Sequence, residues 1–404
     1  MEIIQGNVTA PKGFQASGVY CGIRKNKEKK DLALIYSKKL CQAAACYTQN
    51  KVKGAPILVT QENLQDGVAN VVICNSGNAN TCNADGVEVA KKICKALADK
   101  LDVFPSDIII ASTGVIGQPL NSQAIIDGIP KLIEEMSEEK GIDAATAIMT
   151  TDLKEKEIAV EVMIDDVPVR IGGIAKGSGM INPNMATMLC FITSDCAISS
   201  KMLQKALKRA VGDSFNMISV DGDTSTNDMV SVMANACAGN LLIDTENEDF
   251  EIFADALKFV CINLAKKMAA DGEGATKLLE CSVIGAKDVK DAKIAAKSVI
   301  SSSLVKAAMF GADANWGRVL CAIGYAPFDT DITKTDVSFI SEKGEILVCK
   351  NGSGVDFDED KAKEILLEKE IIISVNLNEG DCQAKAWGCD LTYDYVKING
   401  DYRT

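Results

Sequence analysis

Residues 176–195 read KGSGMINPNMATMLCFITSD, passing from small, flexible residues through Asn182, Pro183 and Asn184 into the apolar run MLCFIT. A loop rich in Gly and Asn reaches backbone conformations that other residues avoid. The apolar, β-branched run after it has the make-up of a buried strand. Thr187 therefore stands where a loop under strain meets the start of a strand. There its hydroxyl can attack the preceding carbonyl, cut the chain and leave Thr187 as a new N-terminus. The alternative is a residue that merely opens a core strand, and local sequence leaves both open.

The chain has no histidine. A hydroxyl nucleophile is weak at its free pKa and needs an adjacent base. Ser-His-Asp and Cys-His arrangements are thus excluded, as is any zinc or haem site that needs imidazole. The base must be a lysine, a carboxylate or a terminal amine. An α-amino group titrates at about 7.7–8.0, close to ideal for a base at neutral pH. A threonine carrying its own free amine is the most economical such pair.

A length of 404 residues suits about two to three domains or one large layered fold. Hydrophobic residues make up 47% and aromatics only 5%, so the interior must be mostly aliphatic. A net charge of −13 argues against nucleic acid, whose phosphates demand a basic face, and against an anionic membrane surface. It leaves room for a small-molecule pocket that is locally basic. The 15 cysteines are scattered, many within apolar runs, and form no CxxC pair. They read as buried free thiols of a reducing compartment, not as a metal or redox centre. MEIIQGNVTAPKGF lacks the basic-then-apolar pattern of a signal peptide, and no apolar run approaches the roughly 20 residues of a membrane helix. The expectation is a cytoplasmic protein that binds neither nucleic acid nor membrane.

Along the chain, DLALIYS reads as a strand and residues 25–30 as a solvated hairpin tip. ANVVICNSGNAN and DIIIASTGVIGQPL each place a buried strand before a loop, and such loops are common binding positions. In the second, Thr113 followed by Gly114 can supply two donors to a developing oxyanion; a glycine turn with a capping threonine is the plainer reading. Helical spacing is visible at 86–101, 121–138, 200–211, 248–270 and 288–310, with a shorter helix ending at Thr150 and Thr151. Residues 158–164 and 167–174 form a hairpin turned at Asp165 and Asp166 and lead into the central loop. Glu273 lies between two glycines, where a carboxylate is either solvated or a ligand for a cation. DLTYDYVKINGDYRT alternates as a strand ending at Asn399, ahead of the terminal Thr404.

DGDTSTND, at 221–228, has the look of a calcium loop but lacks the glycine at its sixth position and the closing glutamate. Gly177-Ser178-Gly179 opens like a dinucleotide fingerprint, yet Asn182 takes the third glycine's place; GGIAKGSG has no GK[ST] ending. Neither is a nucleotide site, and no metal or cofactor is expected.

Taken together, GFQASGVYCGIRK, NSGNANTC, STGVIGQPL, GSGMINPNMATML, VDGDTSTNDM, FGADANWGRVL and DLTYDYVKINGDYRT resemble, in this order and over the whole chain, the ornithine acetyltransferases (glutamate N-acetyltransferases). The resemblance implies a chain that cuts itself between Ala186 and Thr187 into an α chain, 1–186, and a β chain, 187–404, which stay intertwined as a pair of αβ units. It implies an α/β layered fold like that of the N-terminal-nucleophile hydrolases, with sheets covered by helices, shared with β-peptidyl aminopeptidases. By the same likeness Thr187 is the nucleophile, Thr113 and Gly114 form the oxyanion hole, and Thr150, Lys176, Glu273, Asn399 and Thr404 hold the amino acid. The implied reaction moves an acetyl group from N2-acetylornithine to glutamate through an acetyl-Thr187 ester, with no cofactor and with acetyl-CoA as a further candidate donor. Charge alone assigns Lys176 to a carboxylate and Glu273 to an ammonium. The rival readings are an amidase or aminopeptidase on the same scaffold and an uncut metabolite-binding protein.

Overall fold

The computed structural model describes residues 1–182 and 188–400. Ala186 and Thr187, the expected cleavage pair, and the terminal Thr404 lie outside the described residues.

In chain order the first strands are β1 (Glu2–Ile4), β2 (Phe14–Val19), β3 (Leu32–Tyr47), β4 (Val68–Asn75), β5 (Ile108–Ser112), β6 (Lys156–Ile164), β7 (Val167–Lys176), β8 (Leu189–Ser194), β9 (Ile218–Ser219) and β10 (Met229–Ala234). All but β9 join one sheet, ordered β1-β6-β7-β8-β10-β3-β4-β5 with β2 on β3. The expected hairpin is β6–β7, and its turn residues Asp165 and Asp166 sit at φ 51° and 57°. Two left-handed residues in succession match the right-handed twist of the flanking strands. Every residue of β8 and β10 is buried, as suits central strands covered on both faces. β10 was not foreseen: sequence reading weighed the polar run DGDTSTND as a calcium loop and passed over MVSVMA behind it.

A second sheet takes β11 (Leu278–Ala286), β12 (Asp336–Ser341), β13 (Gly344–Lys350), β14 (Ser353–Gly354), β15 (Glu370–Asn376) and β16 (Cys382–Cys389) in the order β14-β13-β12-β15-β11-β16-β9. Helices α1 (Ala55–Asn63), α2 (Gly86–Leu101), α3 (Ser122–Glu134) and α4 (Gly141–Ile148) cover the first sheet, with α4 on β2, β3 and β7. Next come α5 (Ser200–Gly212) and α6 (Glu248–Ala270). α6 packs on β6 and β7 of the first sheet and on β11 and β16 of the second, which joins the sheets into one layered α/β body. Its Phe253, Leu257 and Leu264 are fully buried, and each such side chain contributes about 1.5–3 kcal/mol.

Two expectations change. The single helix over 288–310 is two, α7 (Val289–Ser301) and α8 (Ser303–Phe310). Ser302 is extended and its hydroxyl accepts the Val305 N–H at 3.3 Å, so the local cap outcompetes continuation. The alternating C-terminal run is a helix, not a strand. After α9 (Trp316–Gly324) and α10 (Glu359–Leu366), it forms α11 (Tyr393–Asn399), which buries no residue. Alternation without a sheet face to cover carries no strand signal, and Asp390 turns the chain out of β16 by accepting the Thr276 and Lys277 N–H groups at 2.8 and 3.0 Å.

The sheet crosses the expected cleavage point. β7 pairs with β8, and β10 with β3, so a cut before Leu189 leaves two chains sharing one hydrogen-bonded sheet. All 15 cysteines are unpaired, and burial pushes the thiols of Cys74 and Cys196 up to about 12. No described helix is long and apolar enough to cross a membrane.

Candidate active site

β7 ends at Lys176, β8 begins at Leu189 and β10 at Met229; the pairings Lys176↔Leu189 and Leu189↔Met229 set these ends side by side. A cavity of about 150 Å³ opens there. Thr113, Gly114, Thr150, Lys176, Glu273 and Asn399 all line it, and so does Met188, the covalent neighbour of Thr187. The expected site residues within the described chain, drawn from separate loops, thus meet in one place.

The pair Thr113–Gly114 follows β5. The Thr113 N–H reaches Asn75 O at 3.0 Å, and Gly114 takes φ 129°. A Cβ at Gly114 would lie 2.3 Å from the Gly77 carbonyl carbon, so only glycine lets these loops touch. Asn227 ties both loops to the head of β10: its amide donates to Ala79 O at 2.6 Å and Ser112 O at 2.9 Å, and its oxygen accepts from Thr81 at 2.6 Å. Lys176 Nζ donates to Thr113 Oγ1 at 3.4 Å. That bond occupies a lone pair of the hydroxyl and leaves its proton for another acceptor, as an oxyanion donor requires. Thr113→Val, which keeps the shape and deletes the hydroxyl, is expected to lower kcat about 10²–10³-fold. Steady-state kinetics with KM little changed would support the assignment; an unchanged kcat would remove Thr113 from the hole.

Lys176 is buried and heavily committed. Besides Thr113 it donates to Thr150 Oγ1 at 2.7 Å and pairs with Asp152 at 3.9 Å. Asp152 also takes Lys156 at 2.7 Å, the Thr150 N–H at 2.9 Å and the Gly177 N–H at 2.6 Å, and Lys156 continues to Asp271 at 2.6 Å. Burial alone would raise the Asp152 carboxyl, but Lys176, Lys156 and the Thr150 amide hold it well below the usual carboxylate range. Burial lowers the Lys176 ammonium, and Asp152 opposes this. The charge of Lys176 thus orients the hydroxyls of the pocket wall, a role that charge counting in sequence does not suggest.

Across the cavity, Glu273 is buried, its N–H on Ser178 O at 2.7 Å and its Oε2 accepting Asn399 Nδ2 at 2.8 Å. A Cβ on Gly179 would come within 2.3 Å of this carboxylate, so the glycine lets Glu273 reach the cavity. Asn399 arrives on α11, the helix that was expected to be a strand. The run 221–228 braces the segment before the expected cut. Asp221 accepts the N–H groups of Met180 and Ile181 at 2.6 and 2.8 Å, and Thr224 donates to Asn182 O at 3.1 Å. Asp152, Asp221, Asn227 and Asp228 were missed by sequence reading, although the run 221–228 carried a signal: its dense polar groups had no ion to hold.

The chain matches the ArgJ family over residues 15–404. It is 50% identical to the arginine biosynthesis bifunctional protein ArgJ of Caldanaerobacter subterraneus subsp. tengcongensis, over 100% of each chain. It is 51% identical to arginine biosynthesis bifunctional protein ArgJ 1 of Clostridium acetobutylicum, over 98% of each. A crystal structure of the corresponding protein from Bacillus halodurans is 46% identical, with TM-score 0.51, and covers 53% of this chain and 99% of its own.

Proposed function

From the premise that the chain belongs to the ArgJ family, and is an acetyltransferase of arginine biosynthesis, we propose that it transfers acetyl through a covalent ester on Thr187. The chain cuts itself between Ala186 and Thr187, and the α-amine so released is the base that a protein without histidine needs. That amine takes the proton of its own Oγ, which attacks the acetyl carbonyl of N2-acetylornithine. Thr113 and Gly114 stabilise the oxyanion, each donor contributing about 2.7–4 kcal/mol, and ornithine leaves. Glutamate then takes the acetyl group as N-acetylglutamate. Thr150, Lys176, Glu273 and Asn399, with Thr187 and Thr404, bind the amino acid, Lys176 facing its carboxylate and Glu273 its ammonium. No cofactor is needed because both half-reactions exchange an amine for the same ester. The two chains stay together, and two αβ units associate in the cytoplasm.

The observation that carries this reading is the meeting of Thr113, Gly114, Lys176, Glu273 and Asn399 in one cavity at Met188. The deciding experiment supplies N2-acetylornithine with and without glutamate. Ornithine release should require glutamate beyond one turnover; acetate release without glutamate would make the protein an amidase.

One observation favours acetyl-CoA as a further donor. A groove of about 440 Å³, lined by Arg24, Lys25 and Lys29, shares Gly114 and Thr150 with the acetyl cavity. The same assay with acetyl-CoA as sole donor reads that activity.

A further inference from the structure

Asp228 takes no part in the relay above, yet it stands at the head of β10 beside the head of β8. Its carbonyl accepts the Thr48 N–H at 3.0 Å, and the next amide, Met229 N–H, reaches Met188 O at 2.9 Å. These bonds hold Asp228 against the residue that follows the nucleophile. Asp228 is 4% exposed and lines the acetyl cavity. Its Oδ2 is buried without a hydrogen-bond partner among the described residues. Left unpaired, a buried polar atom costs about 1–3 kcal/mol, so an oxygen that no described residue pairs is open to a group at the cavity.

The groups around it are few. Lys176 approaches from β7, Cys46 from β3 across a small void, Ser225 from its own loop and the Met188 amide from just before β8; Glu273 lines the same cavity. Burial pushes the Asp228 carboxyl well above the usual carboxylate range, and the Met188 amide, Lys176 and Ser225 offset this only in part. Burial disfavours the charged form of such a carboxyl and favours the protonated one.

We propose that Asp228 is the catalytic acid of this cavity, giving a proton to the amine that leaves and taking one from the amine that enters. The inference rests on the acetyl-Thr187 reading. The proton count closes. As the Oγ–C bond forms, the Oγ proton passes to the Thr187 amine. As the C–N bond breaks, the Asp228 proton passes to the ornithine nitrogen, leaving an ammonium and a carboxylate. When the glutamate nitrogen attacks the ester, its proton returns to Asp228, and the ammonium reprotonates Oγ. With a separate acid, the α-amine keeps the Oγ proton through the first half-reaction and returns it only when the ester is released.

The test compares two acetyl donors on Asp228→Asn, which keeps the size and a hydrogen-bond donor but has no transferable proton. N2-acetylornithine must be protonated as it leaves; p-nitrophenyl acetate departs as a phenolate and needs no acid. Acetylation, read by fragment mass, should slow in the variant about 10²–10⁴-fold more for the amide donor than for the ester. An equal loss with both donors would make Asp228 a packing residue, and no loss with either would give it no role; both overturn the proposal. Wild-type fragments that never carry acetyl on Thr187 would instead overturn the ester reading, a result seen without the variant. Should Asp228→Asn fail to fold, the wild-type pH profiles serve. Amide-donor acetylation should fall as rising pH deprotonates the acid, while ester-donor acetylation should not; coincident profiles would overturn the proposal.

Discussion

Thr187→Ala remains one species of 43.0 kDa on a denaturing gel and loses transfer by roughly 10⁶-fold, the expected result if one hydroxyl performs both the cut and the chemistry. The two losses share a cause. Without Oγ nothing attacks the Ala186 carbonyl, so no α-amine is released, and without that amine the proposed relay loses its base. The fold should survive, because the β7–β8 and β8–β10 pairings do not depend on the side chain at 187. Wild-type protein should separate into two fragments, the second beginning Thr-Met-Leu-Cys. Cleavage of the variant, or transfer by it near the wild-type rate, would remove Thr187 from its role.

Asp152→Ala should be the most damaging change outside the nucleophile. It removes the carboxylate beside the buried Lys176 ammonium, leaves Lys156 with Asp271 as its remaining carboxylate, and frees the N–H groups of Thr150 and Gly177. Removing one partner of a buried pair costs about 3–5 kcal/mol, a large part of a domain's total stability. Chemical denaturation should show that loss. The sign with pH follows from the depressed folded pKa of Asp152. Its contribution is complete above the unfolded value of about 3.9 and is lost as pH falls through the lower folded value. Variant and wild type should therefore converge only in strong acid. Activity should fall too, since Lys176 would no longer be held against Thr113 and Thr150. A variant as stable as wild type at neutral pH would show that the network is not what orders this wall.

Much of the fold was legible because its cues are local. The β6–β7 hairpin announced itself through paired aspartates, α6 through its spacing, and β8 through an unbroken apolar run. The misses came where neighbours overrule local pattern. Residues 393–399 alternate like a strand, but no sheet edge awaits them, and they close their own helical bonds. β10 is a short run behind a long polar loop, yet it lies between β8 and β3. Asp152 and Asp228 are unremarkable acids in sequence, and their burial is set by residues more than 20 positions away.

The sequence by itself determined the chemistry available to this protein. An absence of histidine, a threonine at a loop-to-strand junction and a Thr-Gly pair after a strand bound the mechanism, since such facts concern functional groups and need no coordinates. Only the tertiary structure decided which groups meet and in which protonation state. Lys176 is turned onto Thr113 and Thr150, and Asp228 is shut away beside Met188, because the parallel pairing of β8 with β10 and the antiparallel pairing of β7 with β8 bring three strand ends to one point. Charge and proton affinity depend on what surrounds a group, and those surroundings come into being only when distant strands pair.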